Sequence, residues 1–175
     1  RRVVDEWGFD DPAELYANDE WTWDEFYDMC LDFSDPDEER YALDGWYYDT
    51  NIMETSGTTS VIYNVETGLY EANLDDPGME RAAELIYNLK KNDCIYPVWN
   101  NGWKLRNDIE GGGMKEGLCL FYIIPTWGIT NPVEEVNAVW GDIEAGEIMF
   151  VPVPRDPNGD GNSYIGTRIH GFLIV

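Results

Sequence analysis

The stretch Gly117-Leu118-Cys119-Leu120-Phe121-Tyr122-Ile123-Ile124-Pro125-Thr126-Trp127 constrains the fold more than any other part of the chain. From Leu118 to Ile124 every side chain is apolar or aromatic, and Pro125 ends the run. A strand with one wet face alternates polar and apolar residues, whereas an unbroken apolar run belongs to a strand covered on both faces. The run is too short to cross a bilayer and has the length of a central strand. Past its carboxyl end come Pro125, Thr126, Trp127 and Gly128, then a helix start at Asn131-Pro132. Open α/β sheets bind ligands outside the carboxyl ends of their strands. Trp127 is therefore either a core residue capping the sheet or a flat ring at the ligand position.

Local signals around this run alternate helix with strand. Asp11-Pro12 offers a cap and a first-turn proline, and Val3 to Trp7 reads as a short helix before it. Trp21-Thr22-Trp23-Asp24-Glu25-Phe26 carries a capping box, with Thr22 and Glu25 three residues apart and Trp21 and Phe26 placed as a hydrophobic staple. Phe26, Met29, Cys30 and Phe33 then give one apolar helical face. Tyr41 to Tyr48 reads as a strand that ends in the aromatic cluster Trp46-Tyr47-Tyr48. Side chains alternate along a strand, so at least one of these rings is expected to be exposed or to line a cleft. Val61-Ile62-Tyr63 and Leu69-Tyr70-Glu71 flank Glu66-Thr67-Gly68 as a hairpin. Asp76-Pro77 opens a second long helix whose buried face is Met79, Ala82, Ala83, Ile86 and Leu89. Residues 103–110 form a weaker helix stopped by Gly111-Gly112-Gly113. Val133, Val136 and Trp140 give a short amphipathic face, and Ile148–Val153 and Gly171–Val175 read as two more strands. This order predicts an α/β domain, a central mixed sheet flanked by helices.

Charge and composition narrow the function. With 35 acidic and 11 basic residues the net charge is −24, which repels nucleic acid and anionic membrane surfaces. Aromatics make up 14% of the chain, with eight Trp and eleven Tyr, enough to supply both a core and recognition surfaces for sugar or peptide. Cys30, Cys94 and Cys119 are odd in number and widely spaced, so they form neither a disulfide framework nor a metal pattern and belong in the core. No cofactor is implied. The chain begins without Met and ends inside an apolar run, as expected of one lobe or fragment of a longer polypeptide.

Motifs for chemistry are sparse. Asp156-Pro157-Asn158-Gly159-Asp160-Gly161 matches the first half of a calcium loop, but Thr167 stands where the bidentate Glu is needed, and turn chemistry accounts for the same residues. A glycosidase needs two carboxylates held at a set separation, and only Asp44 lies at the end of a buried strand, with Asp49 just beyond the aromatics. His170 has no Ser or Cys partner at a recognisable elbow. The triple glycine follows a helix, whereas phosphate loops precede one.

Three passages together resemble one family. Glu14-Leu15-Tyr16 followed by Glu20-Trp21-Thr22-Trp23-Asp24-Glu25-Phe26 resembles the helix start of extracellular solute-binding proteins that serve sugar ABC importers. Met114 to Leu120, then Pro125-Thr126-Trp127, resembles their strand that ends at a ligand-stacking tryptophan. Val151 to Pro157, closing in Gly171–Val175, resembles the late strands that return to the hinge. The likeness covers residues 1–175 as the second lobe only; Met114 replaces the usual Phe, and the triple glycine is unusual. It implies one lobe of a type II periplasmic-binding-protein-like clamshell that closes on its ligand by hinge motion. It implies a non-enzymatic, extracellular and lipoprotein-anchored receptor, monomeric, partnered by the importer's membrane permease subunits. Trp127 would stack on a sugar, Trp46, Tyr47 and Tyr48 would form a second platform, Asn51 would donate a hydrogen bond, and Trp103 is a further candidate. The alternative is a protein-interaction domain with an exposed aromatic face.

Overall fold

The computed structural model describes residues 1–45, 47–97, 110–124 and 132–164. Within them the chain is mixed α/β: two small sheets and six α-helices. The helices are α1 (Arg2–Trp7), α2 (Pro12–Ala17), α3 (Trp23–Phe33), α4 (Tyr48–Glu54), α5 (Pro77–Lys91) and α6 (Val133–Val139). The strands are β1 (Tyr41–Gly45), β2 (Val61–Asn64), β3 (Leu69–Ala72) and β4 (Cys119–Ile123). Among these helices none is long and apolar enough to cross a membrane.

The helix starts follow their sequence signals. Asp11 accepts from the Ala13 N–H at 2.9 Å ahead of α2, and Asp76 accepts from Gly78 at 2.8 Å ahead of α5. Each satisfies a donor that the first helical turn leaves without a backbone partner. Thr22 caps α3 by accepting from the Glu25 N–H, and the staple forms with Trp21 and Phe26 ring centres 6.1 Å apart, edge to face. Phe26, Met29, Cys30 and Phe33 are all buried on one side of α3. Both tryptophans of the Trp21-Thr22-Trp23 motif are buried and anchored. The Trp21 indole donates to the Pro152 carbonyl at 2.8 Å, and that of Trp23 to the Thr55 hydroxyl at 3.0 Å. Along α5, Ala82, Leu85, Ile86 and Leu89 turn inward, while Ala83 is exposed rather than buried.

β1 and β4 run parallel, in the register Leu43↔Phe121, Asp44↔Tyr122 and Gly45↔Ile123. Leu43 also bridges to Ile95 on the other side of β1. Among the described residues β1 is therefore the flanked strand, with Ala42, Leu43 and Asp44 all buried. The expectation of a dry centre for residues 118–124 is corrected: Cys119 and Leu120 are buried, but Phe121, Tyr122 and Ile123 are half-buried. The expected strand over 41–48 also ends early. Gly45 at φ 109° and Tyr47 at φ 63° turn the chain, and Tyr48 opens α4 instead.

β2 and β3 form the hairpin expected from the sequence, a two-stranded antiparallel sheet apart from the parallel pair. A single sheet mixing parallel and antiparallel strands does not occur among the described residues. Ile148–Val153 is not a strand either. Pro152 and Pro154 have no N–H to give a ladder; the segment meets the α3 start through the Trp21 indole donating to Pro152 O at 2.8 Å, and Arg155 just beyond it continues the contact by accepting from Trp23 N–H at 2.9 Å and donating to Trp21 O at 3.3 Å. The strand expected over 171–175, the helix over 103–109 and His170 lie outside the described residues.

Candidate functional site

The carboxyl ends of β1 and β4 lie side by side, because the strands are parallel and Gly45 pairs with Ile123. Next to them the turn Glu110–Gly113 packs with three glycines in the left-handed region, at φ 64°, 65° and 78°. A side chain would not fit at two of them. A methyl group on Gly112 would stand 2.8 Å from Asp44 Oδ2 and 3.1 Å from Tyr122 Cδ2, and one on Gly111 would stand 2.8 Å from Trp140 Nε1. The triple glycine is thus a wedge, letting the backbone lie against β1, β4 and the end of α6.

Beyond this wedge opens a small, shallow cleft with a cavity volume of about 50 Å³. Its walls come from β4 (Tyr122, with Ile124 just after it), from the end of α6 (Val136, Trp140) and from Ile148, Met149 and Phe150. Tyr122 and Trp140 form an aromatic corner, ring centres 5.9 Å apart and tilted by 53°. Such a surface takes the C–H face of a ligand. The Trp140 Nε1–H is shielded from solvent beside Gly111 and meets no acceptor among the described residues. The described lining holds no carboxylate.

Asp44 is 2% exposed and does not line the cleft. Its Oδ1 accepts the Gly45 N–H at 2.6 Å, and Gly112 covers it. Asp156, the first residue of the calcium-loop resemblance, is 3% exposed and already engaged. Its Oδ2 accepts from Arg81 Nε at 2.8 Å and Nη2 at 2.6 Å, and its Oδ1 accepts from the Asn158 N–H. A guanidinium thus takes the place a cation would need. Among the described residues no cluster of His, Cys, Asp or Glu could hold a metal ion. Cys30, Cys94 and Cys119 are free thiols in the core, and burial pushes Cys30 well above the ordinary thiol range and Cys94 above it.

Of the residues expected at a ligand site, Trp127, Trp46 and Trp103 lie outside the described residues. Tyr47 is 52% exposed. Tyr48 is 8% exposed and belongs to the core, with the Lys90 ammonium 5.7 Å from its ring centre, so it presents no free platform. The Asn51 side-chain amide donates to the Tyr47 carbonyl at 2.7 Å, holding the start of α4 in place. Sequence reasoning missed Trp140, Met149 and Phe150 as a wall. The signal available was the triple glycine, since consecutive glycines announce a backbone that must pass close to something.

The fold and the cleft together define a small α/β domain with an aromatic pocket at the carboxyl rim of a parallel strand pair. No protein-family model, curated protein or solved structure matches the chain.

Proposed function

We propose that this chain is the second lobe of an extracellular solute-binding protein of type II clamshell architecture, and that it binds a neutral oligosaccharide for an ABC importer. The observation that carries the reading is the Tyr122–Trp140 aromatic corner at the strand carboxyl ends. Sugars present C–H faces to aromatic rings and hydroxyl oxygens to isolated donors. The described walls of the cleft hold no charged side chain, which favours an uncharged ligand. In this reading Trp127, which follows Ile124 by three positions, adds the stacking ring. Lobe closure then presents the liganded form to the permease subunits of the importer.

Intrinsic tryptophan fluorescence of the two-lobed protein, titrated with a panel of neutral oligosaccharides, tests the reading. A saturable change with at least one sugar, weakened by Trp140→Phe, is the expected result. An isolated lobe supplies half of the contacts and binds more weakly. No response to any sugar from the two-lobed protein overturns the carbohydrate assignment.

A further inference from the structure

The hairpin β2–β3 is built differently on its two faces. The register Val61↔Ala72, Ile62↔Glu71, Tyr63↔Tyr70 and Asn64↔Leu69 puts Val61, Tyr63, Tyr70 and Ala72 on one side. Glu71 and Asn64 share the other side with Ile62 and Leu69. That second side is tied together: the Asn64 amide donates to Glu71 Oε1 at 2.9 Å and the Thr67 hydroxyl to the same oxygen at 3.2 Å. The turn is fixed as well. Asn64 Oδ1 accepts the N–H groups of Glu66 and Thr67, and Gly68 closes it at φ 69° by donating to the Asn64 carbonyl at 2.8 Å. At the base, the Asn73 amide donates to Thr58 Oγ1 and to the Thr59 carbonyl.

Both sides are exposed, Ile62 and Leu69 on the second being 41% and 63% open, but the first side has no such ties among the described residues. Tyr63 and Tyr70 pack ring to ring at 5.3 Å, yet they remain 54% and 77% exposed, and Val61 and Ala72 are exposed beside them. An isolated two-stranded hairpin is marginal in water. This one is held by turn, base and polar-face bonds while its aromatic face is left open, as a preformed surface for a partner would be. It shares no residue with the cleft, so the inference stands apart from the sugar reading.

Charge decides what covers it. From Tyr41 to Glu80 the chain has no Lys or Arg, and the hairpin and its flanks in sequence carry Glu54, Glu66, Glu71, Asp75, Asp76 and Glu80. A second copy of this chain would bring the same negative field to the contact, and like charges placed together oppose association. We propose that the hairpin docks a protein partner through an extended segment that alternates apolar and Lys/Arg residues and adds as a strand beside β3. All four residues of β3 are exposed. A strand laid along it sends alternate side chains to the two faces. Apolar residues would then lie next to Tyr70, and basic ones next to Glu71.

The test uses two fluorescein-labelled strand peptides, one alternating Val with Lys and one alternating Val with Glu, titrated into the whole chain at low and physiological salt. The Lys peptide is expected to bind tighter than the Glu peptide by about tenfold or more, and to weaken as salt rises. Tyr63→Ser with Tyr70→Ser changes no charge, and is expected to weaken the Lys peptide by about tenfold, which separates the apolar face from the general pull of an acidic protein. Glu71→Gln keeps a hydrogen-bond acceptor and is expected to flatten the salt dependence, and it decides the matter if the Ser variant loses the hairpin. Equal binding of both peptides, or Lys-peptide binding that neither variant changes, overturns the proposal. So does concentration-dependent self-association in sedimentation that the Ser variant abolishes, or binding to zwitterionic lipid vesicles.

Discussion

Replacing Gly112 by Ala puts a methyl group 2.8 Å from Asp44 Oδ2, 2.9 Å from Asp44 Cβ and 3.1 Å from Tyr122 Cδ2, at a backbone φ of 65°. Two penalties add. Holding an L-residue in the left-handed region costs about 1–2 kcal/mol, and overpacking a fitted contact costs about 1–3 kcal/mol more. Gly8 supplies the control, because it has φ 71° but nothing within 4 Å of an added Cβ. Gly8→Ala should therefore show the backbone penalty alone, offset by about 0.4–1 kcal/mol from a less disordered unfolded chain. Urea unfolding of both variants, followed by tryptophan fluorescence, should place Gly112→Ala below Gly8→Ala by about 1–3 kcal/mol, the overpacking difference. In a chain of this size each kcal/mol lowers Tm by about 2–4 °C. Tyr122 stands in the way of the methyl group and also walls the cleft, so Gly112→Ala should weaken ligand as well, while Gly8→Ala should not. Equal losses of stability would refute the wedge.

The Arg81–Asp156 pair should respond unequally to loss of its two members. Asp156 is buried and Arg81 is about a third exposed, so Arg81→Ala strands a carboxylate away from water and should cost about 3 kcal/mol. Asp156→Asn leaves a guanidinium that water can reach and should cost less; calorimetric unfolding ranks them, and the reverse order contradicts the assignment. Stability should also fall at high pH. Burial, the largest cause, raises the thiols of Cys30 and Cys94 and the phenol of Tyr48, so the native state keeps protons that the unfolded state loses. That stability is complete below the unfolded thiol pKa of about 8.5 and drains away as pH rises above it. Urea unfolding from neutral to alkaline pH checks the slope, which should be shallower in Cys30→Ala whatever its absolute stability.

What could be read from the sequence was what neighbouring residues settle among themselves. The cap and staple of α3 need only residues 21–26, the hairpin needs only residues 61–72, and both stand where expected. Distant contacts were harder. The run 118–124 looked like the centre of the sheet, yet it is β1 that has neighbours on both sides among the described residues, through β4 and Ile95. Hydrophobicity reports that a strand is buried, and it says nothing of which strand lies between which. Ile148–Val153 misled because apolar residues around two prolines suit a docked extended segment as well as a strand. Tyr48 went from platform to core because Gly45 and Tyr47 turn the chain before it, shifting the alternation on which the expectation relied. The cleft was invisible for the same reason as the sheet order: its walls come from β4, α6 and residues 148–150, brought together only by the tertiary fold.

The central claim is that a sugar sits at the rim of the β1–β4 pair, against the rings of Tyr122 and Trp140. Fluorine NMR of the two-lobed protein carrying 5-fluorotryptophan, with the Trp140 resonance assigned by Trp140→Phe, observes that ring directly. Titration with the oligosaccharide that changes intrinsic fluorescence should shift the Trp140 signal, while Trp21 and Trp23, bonded in the core to Pro152 and Thr55, stay in place. A Trp140 signal that no sugar moves, while another class of solute does, would contradict the account.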